Sequence, residues 1–275
     1  MKWIMGIASA IMMATSFSSQ AQAQKVLVLY YSQTSNTKAV AECIAQKLNA
    51  DIEAIEAVTP YDGDYQATID RSRHEREAGI TPEIKPLKAD ITKYDVIFLG
   101  YPIWYGTYAP PIATFLNNVD LSGKRVVPFC TFGSGGLESS SRILASKQPG
   151  ANVVEGYGVR AARLDAMPQE VENFLVHSGF LEGSYTAPEP FPVQHVVSAE
   201  EAAIFDAAVG DYPMINARAM TVASRTIPNG VEYLFTASEK RRNNDPNLQS
   251  RPPVEMHVYV IVVNGEAPVF TRVVR

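Results

Sequence analysis

The sequence predicts a three-layer α/β domain on a five-stranded parallel sheet, followed by a smaller α+β domain with one helix on an antiparallel sheet. Apolar runs alternate with helical spacings from Lys25 to His177, the pattern of strands and crossover helices. A proline-rich spacer, SYTAPEPFPVQH (184–195), then interrupts the chain. Beyond it lie a helical segment and four strand-like runs, with hairpin turns expected at Asn229-Gly230 and Asn264-Gly265. The expected organisation is 1–23 a leader, 24–184 the α/β domain, 185–195 the linker and 196–275 the α+β domain.

The leader MKWIMGIASAIMMATSFSSQAQAQ starts with Lys2, continues through a mostly apolar stretch from Trp3 to Phe17, and closes on Ala21-Gln22-Ala23. A positive start, a short apolar core and an A-x-A site make a secretory signal peptide, so a periplasmic or secreted location is expected. The apolar stretch is broken by Ser and Thr, and no membrane span is expected after its removal. In an oxidising compartment Cys43 and Cys130 could be joined, but two separately buried thiols fit the pattern as well.

In the α/β part, KVLVLYY (25–31) is apolar throughout, as a strand buried on both faces must be. Val40, Ala41, Ile44, Ala45 and Leu48 recur at helical spacing across 37–48. DIEAIEA (51–57) alternates like an edge strand, and a polar segment follows with a helix expected over 64–77. YDVIFLGY (94–101) and RVVPFCTF (125–132) are further buried strands; Pro128 lacks an N–H and is tolerated more easily near an edge or a bulge. Helices are expected over 110–117, 137–147 and 167–178, with the last strand over 153–157. In the second domain the helix spans 199–209 and the strand-like runs 219–227, 231–238, 256–263 and 269–274. The polar stretch 240–253 is expected to be a long hairpin loop.

Composition excludes more than it selects. The 275 residues carry 24 Lys+Arg against 29 Asp+Glu, a formal charge of −5, with most of the excess acid before residue 184. Such a balance does not suit a nucleic-acid binder, which needs clustered cations. Two cysteines and four scattered histidines do not make a metal centre or a disulfide scaffold. DRSRHERE (70–77) is expected to be a solvated helix face laced with i,i+4 pairs, with Arg71 or Arg73 near substrate as the minor alternative. No G-x-S-x-G elbow marks a hydrolase, and no catalytic residue is assigned.

Ligands of open parallel sheets bind beyond the carboxyl ends of strands. The loop YSQTSNTKA (31–39) brings hydroxyls and a helix N-terminus together, which suits a phosphate; simple helix capping by Ser35 or Thr34 is the alternative. It fits neither the nucleoside-triphosphate loop nor G-x-G-x-x-G. The loop GYPIWYGTYAPP (100–111) places Trp104 and Tyr105 where a planar ligand could stack, while Tyr108 is expected to pack internally. In TFGSGGLESS (131–140), Gly133, Gly135 and Gly136 would let main-chain atoms approach such a ligand, or simply serve a tight turn into the next helix.

With S-x-T-S-N-T after the first strand, G-Y-P-I-W-Y-G after the third and T-F-G-S-G-G after the fourth, residues 25–180 resemble the flavodoxin-like family. The resemblance implies a noncovalently bound FMN. Ser32, Gln33, Thr34, Ser35, Asn36 and Thr37 would hold its phosphate, and Pro102, Ile103, Trp104, Tyr105 and Gly106 would flank the isoalloxazine with Trp104 or Tyr105 stacked on it. Thr131, Phe132, Gly133, Ser134 and Gly135 would touch the pyrimidine edge, and the backbone at 104–106 would lie near N5. Ser35 stands where many flavodoxins have glycine, and a side chain there calls for a negative φ.

The second domain resembles the cystatin-like fold, but Arg225 to Gly230 lacks the inhibitory Q-x-V-x-G hairpin. It is expected to be a docking or dimerising module, a homodimer being one outcome. The combined expectation is an exported electron-transfer flavoprotein, either a carrier or a small NAD(P)H:quinone reductase. Its partner would be a redox protein or a small acceptor such as a quinone. The rival is a non-enzymatic binding module whose α/β part is a scaffold and whose second domain docks a protein partner or protease.

Overall fold

The structure is a computed structural model and describes residues 24–210, 212–240 and 252–275. Residues 1–23 and 241–251 lie outside the described residues, and with them the leader and most of the expected 240–253 loop.

The chain order of the first domain is β1 (Val26–Tyr30), α1 (Asn36–Leu48), β2 (Asp51–Ala54), α2 (Tyr65–Ala78), β3 (Val96–Trp104), β4 (Thr107–Tyr108), α3 (Pro110–Asn118), β5 (Arg125–Phe132), α4 (Leu137–Lys147), β6 (Asn152–Val153), β7 (Tyr157–Arg160) and α5 (Met167–His177). The sheet runs β2-β1-β3-β5-β6, with β7 also on β5, and these pairings are parallel. Strand order reverses between β1 and β3, which opens a crevice at their carboxyl ends. Strand alternation sends Leu27, Leu29, Ile97 and Leu99 to one face, where Ile112 and Phe115 of α3 cover them. Val28, Phe98, Val127 and Phe129 go to the other face, under Val40 and Ile44 of α1 and Val171 and Leu175 of α5.

Within the first domain two connections depart from the expected elements. Beyond Tyr101, β3 continues to Trp104 and turns back antiparallel as β4, with Trp104 opposite Thr107. The turn residues Tyr105 and Gly106 have φ of 51° and 80°, a two-residue turn with both centres left-handed, so what reads as a loop is a hairpin. The strand expected over 153–157 is broken instead into β6 and β7. Between the pairs Val126–Val153 and Phe129–Tyr157, β5 advances three residues and its neighbour four. The extra residue lies opposite Pro128, which has no N–H for the ladder, and the carbonyl of Pro128 fills the space a Gly156 side chain would need.

The second domain comprises β8 (His195–Val196), α6 (Ala199–Val209), β9 (Ala217–Ile227), β10 (Gly230–Glu239), β11 (Glu255–Val263) and β12 (Val269–Val274), in an antiparallel sheet ordered β12-β11-β10-β9-β8. Phe205 and Val209 of α6 pack on Phe235, Val258 and Val260. Ser198 and Glu201 close a capping box at the start of α6. The β9–β10 hairpin is centred on Pro228-Asn229 rather than Asn229-Gly230, because Gly230 already pairs with Ile227. The spacer is anchored from Glu189 onward. Arg225 donates to the Glu189 carbonyl (3.0 Å) and covers Phe191, while Thr221 and Thr236 donate to Gln194 Oε1.

Cys43 on α1 and Cys130 in β5 are both free thiols. Burial pushes both thiol pKa values up, that of Cys130 well above its ordinary value. A thiol assay of denatured, non-reduced protein should therefore find two groups per chain, and fewer would mean that they pair.

Candidate functional site

The loop after β1 leads into α1 without a side-chain cap, so the capping alternative for Ser35 and Thr34 does not hold. Ser32 Oγ accepts instead from the amide of Lys38 (3.2 Å). Among the described residues, the amides of Thr34, Ser35, Asn36 and Thr37 have no acceptor. Ser35 sits at φ 65°, so the expected negative φ is not what the chain adopts. A left-handed residue followed by helical ones turns successive amides to one side, and such a concavity receives anions. A left-handed L-residue costs about 1–2 kcal/mol. Glycine would relieve that cost but loosen the unfolded chain by about 0.4–1 kcal/mol. Ser35→Gly should thus raise stability by about 0.5–1 kcal/mol in denaturant melts; a loss would show that the serine side chain contributes to the loop.

Thr37 is buried, and its Oγ1 lies 2.8 Å from Oγ1 of Thr131, a bond that ties the first loop to the third. Gln33 turns its amide away from the loop, accepting from Tyr31 OH and donating to the Tyr61 carbonyl. Trp104 stands edge-to-face to Tyr31 (centroids 6.0 Å) and Tyr61 (5.2 Å). The result is an aromatic corner next to the hydroxyl-rich loop. Tyr31 and Tyr61 are missed by sequence reasoning; Tyr61 comes from the polar segment and reaches the corner only through the fold. Burial raises both phenol pKa values, so both stay neutral donors.

Tyr105 does not join this corner. Its hydroxyl donates to the Ile69 carbonyl (3.0 Å), and Arg76 covers its ring. Of the two stacking candidates, only Trp104 lies in the aromatic corner. Gly106 offers its carbonyl to Ser139 Oγ (2.8 Å), while Pro102 and Ile103 continue β3, where Ile103 fills the space beside Gly136. Tyr108 packs against Tyr101 in the core, as expected. DRSRHERE is only partly solvated. Ser72 and Glu75 are buried, Tyr61 OH donates to Glu75, and Arg71 stacks on Tyr61 while donating to the carbonyls of Thr59 and Pro60. The pull of these partners turns that side of α2 inward.

In the third loop Thr131 and Phe132 are buried. Its glycines are used from a direction the sequence does not reveal. A Cβ on Gly133 would meet the hydroxyl of Tyr212, and one on Gly135 would lie 2.1 Å from the carbonyl oxygen of Val273. Both belong to the second domain. Val273 N donates to the Ser134 carbonyl (2.6 Å), and Arg160 at the end of β7 donates to the carbonyls of Gly133 and Phe270, both at 2.8 Å. Arg160 has no sequence signal, because its role depends on two domains meeting.

A parallel sheet in this order, with a cradle of unpaired amides at its switch point and an aromatic corner beside it, defines a doubly wound domain able to take a phosphorylated planar group. The flavodoxin family model matches residues 25–174, more than half of the chain, and the chain belongs to the flavodoxin family. It is similar to a candidate flavoprotein of Bacteroides eggerthii DSM 20697, at 32% identity over 55% of this chain and 96% of that one, with a TM-score of 0.49. A flavoprotein in complex with FMN from Lactobacillus acidophilus NCFM matches at 27% identity over 50% and 93%, with a TM-score of 0.44. Oxidised flavodoxin 2 from Bacillus cereus matches at 22% over 55% and 95%, with a TM-score of 0.37. No curated protein matches the chain. The second domain lies beyond the family match.

Proposed function

We propose that this is an exported FMN protein that transfers electrons, as a carrier or as a small reductase. The observation that carries it is the loop 32–37 at the switch point, where four amides without acceptors stand among hydroxyl side chains with no Lys or Arg, a neutral cradle that suits a phosphate. In this reading the amides of Thr34 to Thr37 hold the phosphate. Trp104 shields the isoalloxazine, and Thr131 to Gly135 line its pyrimidine edge. Bound FMN supplies one- or two-electron chemistry. The chain's part is to bind, orient and exclude water: Thr37 and Thr131 lock two loops together, and Tyr31, Tyr61 and Trp104 wall off one side.

The leader supports export to the periplasm or beyond, and the acidic excess suits a basic redox protein or a neutral acceptor such as a quinone. Among the described residues no helix is long and apolar enough to cross a membrane. Purified mature protein is expected to be yellow and to release FMN on denaturation. A colourless product that takes up no added FMN would overturn the reading and leave the scaffold alternative. Sustained NAD(P)H oxidation with a quinone would separate reductase from carrier.

A further inference from the structure

The carbonyls of the third loop are held at the seam between the two domains, by Arg160 of β7 and by the β12 backbone. Arg160 is buried; its Nε takes the Gly133 oxygen and its Nη1 the Phe270 oxygen, with the guanidinium 3.4 Å from the Phe270 ring centroid. Val273 N takes the Ser134 oxygen, and Glu138 lies 3.6 Å from Arg272, linking α4 to β12. In a trans peptide the C=O and the following N–H point in opposite directions. Fixing the carbonyls of Gly133 and Ser134 therefore fixes the amides of Ser134 and Gly135, aimed away from Arg160 and from Val273. Among the described residues neither amide has an acceptor. Two preset donors thus stand on the loop face that the second domain leaves open. Close contact requires glycine at 133 and 135, since a side chain at either would strike Tyr212 or Val273.

We propose that the second domain is a built-in positioning element of the flavin site, with Arg160 as the positioning residue that, together with the β12 backbone, presets the Ser134 and Gly135 amides as donors to the flavin's pyrimidine edge. This deepens the FMN reading and rests on it. Preset donors stabilise an electron-rich edge more than a neutral one, so they favour the reduced flavin over the oxidised one. The buried charge of Arg160, which has no carboxylate among its described partners, acts in the same sense.

The test uses the full mature chain and its Arg160→Gln, Arg160→Lys and Gly135→Ala variants. FMN and riboflavin affinities, the midpoint potential and amide exchange at Ser134 and Gly135 would be measured. Arg160→Gln and Gly135→Ala should weaken FMN and riboflavin by the same factor, about tenfold, because the phosphate is held elsewhere. They should also cut the preference for reduced flavin by about tenfold, which is ~30 mV for a two-electron couple. In the FMN-bound protein they should speed exchange of the two amides, whose protection comes from the bound flavin, and Arg160→Lys should recover part of the potential. If the wild type binds neither flavin, the FMN reading falls and this proposal with it. If the wild type binds both and the folded variants match it in affinity and potential, the positioning role alone is overturned. Should Arg160→Gln not fold, Gly135→Ala and Arg160→Lys decide by the same measurements.

Discussion

Riboflavin is expected to bind the mature chain at least ~100-fold more weakly than FMN, which differs by the phosphate alone. Hydrogen bonds to a charged group contribute about 1.5–3 kcal/mol each, and the first loop has four amides without acceptors, so losing even two accounts for that factor. Because residues 32–37 include no Lys or Arg, and neighbouring Lys38 faces Glu42 at 3.7 Å, the difference should persist at high salt. Fluorescence titration with both ligands at low and high salt measures it. Equal affinities would mean that the loop does not hold the phosphate.

Gly100→Ala should be among the most damaging single changes in the first domain. Gly100 of β3 lies directly opposite Phe129 of β5, and a Cβ there would sit 2.1 Å from Cζ of the ring. The phenyl group occupies the space the glycine leaves, and both residues are buried. Overpacking of a tight core costs about 1–3 kcal/mol, and three ring atoms within contact distance place this change at ~3 kcal/mol or more. The damage should reach the site, because the Gly100 carbonyl accepts from the Tyr31 amide (3.0 Å) at the root of the phosphate loop. Phe129→Leu added to Gly100→Ala should restore part of the lost stability, a coupling that a double-mutant cycle in denaturant would quantify. Strict additivity would show that the clash is relieved elsewhere.

Much of this was legible along the chain. The apolar runs at 25–31, 94–101 and 125–132 fitted strands buried on both faces, and Pro128 pointed to an edge or a bulge because a missing N–H is a local property; the structure has the bulge. The hydroxyl loop was legible because strand, loop and helix adjoin in sequence. The turn at Tyr105-Gly106 was less so, since an aromatic residue at positive φ runs against turn preferences and is held by Ser72, Arg76 and Ile69 from α2. Tyr61 and Glu75 hid in a polar segment whose inward face exists only once α2 has docked.

The apolar-polar pattern determines where each strand and helix forms and which loops reach the switch point, because hydrophobic periodicity and backbone chemistry act over a few residues. The way the second domain meets the first could be decided only by the tertiary structure. Gly133 and Gly135 look like turn glycines or ligand-facing glycines in the sequence, and Arg160 carries no signal there. Their roles come from Tyr212, Phe270 and Val273, residues about 50 to 140 positions away, brought close by packing between domains whose complementary surfaces have no sequence period.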